Sequence, residues 1–87
     1  MSQRSKIRFT KHAYEKIEFV KNYGFEIDEK KIVETIRNPT RLDQRDDQYF
    51  AIKPLDINHA LRVVYEKRKE YLVVITFYPV RRERYGV

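Results

Sequence analysis

The end of this chain carries the residues best suited to chemistry. Tyr78, Arg81, Arg82, Arg84 and Tyr85 follow the apolar run Leu72-Val73-Val74-Ile75-Thr76-Phe77, with Pro79 among them. A guanidinium donates two parallel hydrogen bonds and stays charged at physiological pH, so it suits phosphate. A tyrosine offers a flat face to a base, or a phenol that can pass a proton. A buried strand that ends in such a cluster delivers fixed cations to one edge of a sheet. A solvated basic tail has the same composition, and the tail alone leaves both readings open.

His12 adds a candidate base. It follows Thr10 and Lys11 at the second position of a helix that Thr10 caps. The free N–H groups of that first turn attract phosphate. The positive end of the helix dipole favours the neutral form of an imidazole. A first-turn surface histidine without a role fits the same position. His59, beside Asn58, reads as a turn residue, with contact to RNA as the alternative.

Two distant histidines and no cysteine make no zinc signature. Asp43, Asp46 and Asp47 read as a solvated turn flanked by Arg41 and Arg45, with weak binding of a divalent cation as the lesser alternative. There is no Gly-rich phosphate loop and no nucleophile elbow. The expectation is therefore no metal and no cofactor. What the inventory fits is metal-free phosphodiester chemistry. A base takes the 2′-OH proton, cations stabilise the phosphorane, and an acid protonates the leaving 5′-oxygen. The expected base is His12. Arg62 with Arg81 or Arg82 clamps phosphate, with Arg84 near them, and Tyr78 or Tyr85 is the acid. DNA lacks the attacking hydroxyl, so RNA is the favoured substrate.

The elements that must position these groups follow from periodicity and caps. Residues 7–9 make a short first strand. Thr10 caps the first helix, Phe9 staples to Tyr14, and Ala13, Ile17 and Val20 form its buried stripe. Asp28 caps the second helix, Ile27 staples to Ile32, and Ile32, Val33 and Ile36 face inward. Asn38-Pro39 ends it. Strands follow at 40–44, 48–53, 60–66 and 72–78, alternating in polarity. The order β-α-α-β-β-β-β gives one α+β domain over residues 1–87. Two helices cover a four-stranded antiparallel sheet, with residues 7–9 on its edge. The expected core includes Val33, Ile36, Phe50, Ile52, Val63, Ile75 and Phe77. The face away from the helices then carries Tyr49, Lys53, Arg62, Thr76 and Tyr78, an aromatic and basic platform for single-stranded RNA.

Composition agrees with a polyanion partner. The formal net charge is +6 and the pI about 9.7. No stretch approaches the ~18 apolar residues that span a membrane. Met1-Ser2-Gln3-Arg4-Ser5-Lys6 lacks the apolar stretch of a secretory signal, and the expected location is cytoplasmic.

Several of these segments carry a family resemblance. Thr10-Lys11-His12-Ala13 resembles the His-Ala start of the domain of unknown function 4258. Ile27-Asp28-Glu29-Lys30-Lys31-Ile32 with Asn38-Pro39 resembles its second helix. Leu61-Arg62-Val63-Val64-Tyr65 and Val73-Val74-Ile75-Thr76-Phe77-Tyr78-Pro79 resemble its last two strands. That family is related by fold to the RelE/ParE and BrnT toxins, within the barnase/EndoU/colicin/RelE group of small ribonucleases. The BrnT end is similar to Ile75-Thr76-Phe77-Tyr78 followed by Glu83-Arg84-Tyr85. Two departures stand out. No arginine follows soon after His12-Ala13, and Phe77 stands where BrnT has a small residue.

The resemblance implies a helix pair on a curved antiparallel sheet in a RelE-like toxin, or a toxin-derived endoribonuclease that needs no metal. Its partners would be RNA, free or ribosome-bound, and an acidic antitoxin. It carries over His12, Arg62, Thr76 and the Arg-Tyr tail. The alternative is a non-catalytic RNA- or protein-binding module of the same fold. A third reading is a toxin of this fold that poisons a protein target.

Overall fold

Two capped amphipathic helices lie against a five-stranded sheet in the computed structural model, which describes residues 5–87. Residues 1–4, part of the segment read as lacking a signal, lie outside that range. The elements are β1 (Lys6–Phe9), α1 (Lys11–Lys21), α2 (Glu29–Arg37), β2 (Arg41–Arg45), β3 (Gln48–Pro54), β4 (His59–Lys67), β5 (Tyr71–Arg81) and a one-turn α3 (Arg82–Tyr85). The sheet order is β1-β5-β4-β3-β2. β2 to β5 pair antiparallel, while β1 takes the expected edge position and runs parallel to β5, which makes five strands. Among the described residues no helix is long and apolar enough to cross a membrane.

The helix starts are those that the cap residues dictate. Thr10 accepts a hydrogen bond from the Ala13 amide at 3.1 Å, and Asp28 from the Lys31 amide at 2.9 Å. The Phe9 and Tyr14 rings stand 5.0 Å apart and staple the chain's entry into α1. Ala13 and Val20 are buried. On α2 the buried stripe is Ile32, Thr35 and Ile36, whereas Val33 is only half-buried. Thr35 satisfies its hydroxyl within the helix by donating to the Lys31 carbonyl at 2.8 Å.

The core lies between the helices and one sheet face. It contains Ile27, Ile32 and Ile36 with Ala51, Leu61, Val63, Tyr65, Val74 and Phe77. Two strand-face expectations are corrected. On β3, Ala51 faces the helices with Tyr49 packed against the same core, so Phe50 and Ile52 point the other way. On β5, the register passes from Val64↔Thr76 to Tyr65↔Val74, leaving Ile75 as an extra residue in a β-bulge. Leu72 and Val74 therefore face the helices before the bulge, and Phe77 does so after it. Ile75 is half-buried rather than central to the core. Phe50 is half-buried on the far face, and Ile52 is fully buried there.

β5 also runs further than the apolar pattern predicts, through Pro79 to Arg81. β1 covers only residues 71–74 of it, so Pro79 sits on an open margin. A proline, which has no N–H to donate, is tolerated at such an edge.

Candidate functional site

Arg62 is the centre of the far face. β4 alternation puts Leu61, Val63 and Tyr65 in the core and turns Arg62 and Val64 away from it. Its cross-strand neighbours are Ile52 on β3 and Tyr78 on β5. The bulge at Ile75 is what brings Tyr78 to this side. With Val74 facing the helices, strict alternation would carry Thr76 and Tyr78 to the helix face as well.

The guanidinium of Arg62 is held by rings rather than carboxylates. It donates from Nη1 to the Tyr78 hydroxyl at 2.5 Å. Its carbon lies 4.6 Å from the Phe50 ring centroid, 5.2 Å from that of Tyr85 and 5.7 Å from that of Tyr78. Such cation–π contacts hold a guanidinium in place while leaving its charge uncancelled. Among the described residues no carboxylate forms an ion pair with Arg62. Its Nε is buried and has no hydrogen-bond partner among the described residues. A buried donor without an acceptor is unfavourable unless something else arrives to accept from it.

A cavity of about 480 Å³ opens beside it, lined by Arg41, Asp43, Arg45, Phe50, Arg62 and Tyr85. Arg41 shapes this wall. Its Nε pairs with the Asp43 carboxylate at 3.0 Å, and its Nη1 donates to the Tyr85 carbonyl at 2.9 Å. β2 thereby tethers α3 so that Tyr85 reaches Arg62. Tyr85 also borders a hollow of about 270 Å³ with Pro79, Val80, Arg81 and Arg84. The tail arginines thus split. Arg81 and Arg84 share that hollow, while Arg82 anchors the turn. Its Nη1 donates to the Asp56 carbonyl at 3.1 Å and its Nε to the Val87 carbonyl at 3.0 Å.

Two expected members of the far face lie elsewhere. Tyr49 is stacked on Tyr65 at 5.3 Å on the helix side. Lys53 donates to the Asn38 carbonyl at 2.9 Å and pairs with Glu34 of α2 at 3.5 Å. Both follow from the reversed face of β3. Their places next to Arg62 are taken by Phe50, which the sequence reading put in the core, and by Arg41, which it put beside a solvated turn. The only signal was the strand alternation itself, which a one-residue slip inverts.

His12 is exposed on the first turn of α1 and makes no side-chain hydrogen bond among the described residues. It lines a hollow of about 360 Å³ with Glu15, Lys16 and Phe19. Lys16, one turn further on, donates to Thr76 Oγ1 at 3.1 Å and stands 5.3 Å from the Tyr78 ring centroid. Burial holds its ammonium below the usual lysine range. Thr76 and Tyr78 are therefore joined to α1 through Lys16, which the sequence reading passed over. The i, i+4 spacing from His12 was the available clue.

His59 opens β4. Its Nδ1 lies 3.1 Å from Asp56 Oδ1, and its ring meets Phe25 edge-on at 5.3 Å. Comparison with family models, with curated proteins and with solved structures gave no match.

Proposed function

We propose that this chain is a small RelE-like protein that acts on RNA. It grips a single strand on the sheet face opposite α1 and α2, and cleaves it by attack of a 2′-hydroxyl on the adjacent phosphorus. One observation carries the reading. Arg62 is held among Phe50, Tyr78 and Tyr85, and among the described residues no carboxylate pairs with it. Unpaired guanidinium beside flat rings matches a phosphate flanked by bases. The order of elements, with two helices on one face of a mostly antiparallel sheet, supports the family reading.

In the proposed step, the 2′-oxygen bonds to phosphorus as a base takes its proton. Arg62 stabilises the charge that gathers on the non-bridging oxygens. The bond from phosphorus to the 5′-oxygen breaks, and an acid protonates that oxygen. A 2′,3′-cyclic phosphate is left behind. Tyr78 is the proposed acid. Its oxygen accepts from Arg62 and keeps its own proton to give. Tyr85 is the second phenol at the site. His12 is the proposed base, on the helix whose next turn reaches Thr76. The guanidinium supplies the charge stabilisation that a metal ion would otherwise provide. An acidic antitoxin would cover the same cationic face.

A non-catalytic binding module is the second reading. It is favoured by one fact: among the described residues, no imidazole or carboxylate hydrogen-bonds to Arg62 or Tyr78. Incubating the purified protein with RNA in EDTA, with and without ribosomes, separates the two. Cleavage to 2′,3′-cyclic or 3′-phosphate ends supports the enzyme. Salt-dependent binding without cleavage leaves the module. Neither binding nor cleavage removes RNA from the account.

A further inference from the structure

β1 ends at Phe9 and pairs only with residues 71–74, so among the described residues β5 from Ile75 onward has no strand on that side. α1 begins at this margin, with the Thr10 amide donating to the Val74 carbonyl at 3.1 Å. Lys16 reaches the margin from the next turn. Its ammonium donates to Thr76 Oγ1 and stands 5.3 Å from the Tyr78 ring and 5.8 Å from the Phe77 ring.

Like Arg62, Lys16 forms no ion pair among the described residues. Glu15 lines the same hollow but lies outside pairing distance. One hydroxyl and two ring faces replace only part of the hydration that the ammonium of a half-buried lysine gives up. An anion would replace the rest. The lowered affinity of Lys16 for its proton agrees, since it reports desolvation without a compensating negative charge. Arg62 stands 5.7 Å from the same Tyr78 ring. Two unpaired cations therefore attend one tyrosine, one from β4 and one from α1.

We propose that Lys16 forms a second phosphate subsite, so that single-stranded RNA held at Arg62 continues past Tyr78 and over the open margin of β5 to α1. The inference rests on the RNA reading above. It gives the strand a direction, toward the hollow that Lys16 shares with His12. Among the described residues no hydrogen bond joins His12 to Arg62, and the track would join the two through the ligand.

The test is fluorescence anisotropy of a labelled 2′-O-methyl oligonucleotide, which cannot be cut, across a range of salt. Each phosphate contact to a single strand contributes about 0.7 to the slope of log affinity against log salt. Lys16→Met should lower that slope by about 0.7, and Lys16→Arg should keep it. Lys30→Met, an exposed lysine on α2, should keep it too. If the methionine variant loses its fold, Lys16→Gln carries the test, because its amide keeps a neutral donor on the side chain that faces Thr76. Binding by the wild type with an unchanged slope in a folded Lys16 variant overturns the subsite and leaves the RNA reading standing. A wild type that binds no oligonucleotide at any salt removes that reading itself.

Discussion

The hydroxyl of Thr10 donates to the carbonyl of Ile75, 65 positions later in the chain, at 3.3 Å. The same oxygen accepts from the Ala13 amide at 3.1 Å. One side chain thus starts α1 and holds the bulge that turns Tyr78 toward Arg62. Thr10→Val keeps the shape and removes both bonds. It should cost about 1–2 kcal/mol, the upper range for a lost N-cap. Thr10→Ser should restore most of that. Urea unfolding of the three proteins measures it, and a valine variant as stable as wild type would show that neither bond matters.

The bulge also marks where the sequence stopped being legible. Caps, staples and element order were readable because each depends on residues within one turn. Strand faces depend on an unbroken period of two, and one extra residue at Ile75 breaks it. Arg62, Thr76 and Tyr78 were placed correctly on the far face, while Tyr49 and Lys53 were not. β3 misled because both its faces are apolar: Ala51 packs under the helices, and Ile52 is buried on the opposite side. Phe77→Ala should cost about 3–5 kcal/mol, as for a fully buried ring. Ile75→Ala, at a half-buried bulge, should cost nearer to about 1 kcal/mol. Equal losses at the two sites would mean that Ile75 belongs to the core after all.

Asp56 gives a pH signature. The amides of Asn58 and His59 donate to its Oδ1 at 2.8 and 2.7 Å, and the first of these is the main reason its carboxyl is held below the usual aspartate range. A depressed folded-state pKa stabilises the fold above the unfolded-state value of about 3.9. That contribution is lost as pH falls through the folded-state value. Asp56→Asn keeps an acceptor for the turn but cannot titrate. Its stability should therefore fall less steeply than that of wild type below about pH 4. Thermal unfolding from neutral to acid pH checks this, and parallel curves would argue against the turn carboxylate.

Arg62 should separate stability from binding. It is a partly buried cation with no anionic partner among the described residues, so replacing it by an apolar side chain of similar length removes an unfavourable group. Arg62→Met should leave stability unchanged or raise it by about 1 kcal/mol. RNA affinity should fall, with the salt slope smaller by about 0.7. Arg62→Lys should not rescue binding fully, because an ammonium lacks the planar fork and stacks less well on Phe50. A variant that loses stability and binding together would place Arg62 in the scaffold instead.

The proton donor is the sharpest kinetic test. Tyr78→Phe removes the phenol but keeps the ring that Lys16 and Arg62 both attend. If Tyr78 protonates the leaving 5′-oxygen, cleavage should slow by about 10²–10⁴-fold while RNA affinity changes little. Tyr85→Phe should have the smaller effect, because Tyr85 meets Arg62 by its ring face and tethers through its backbone carbonyl. His12→Ala tests the base in the same assay and should fall in the same window of about 10²–10⁴-fold. His12 lies on α1, apart from the Arg62 cluster, so its loss should not disturb the Tyr78 geometry. A wild-type rate in His12→Ala would pass the base role to another group at the margin of β5. A wild-type rate in Tyr78→Phe would leave the bond from Arg62 to the Tyr78 hydroxyl as a positioning contact for the guanidinium.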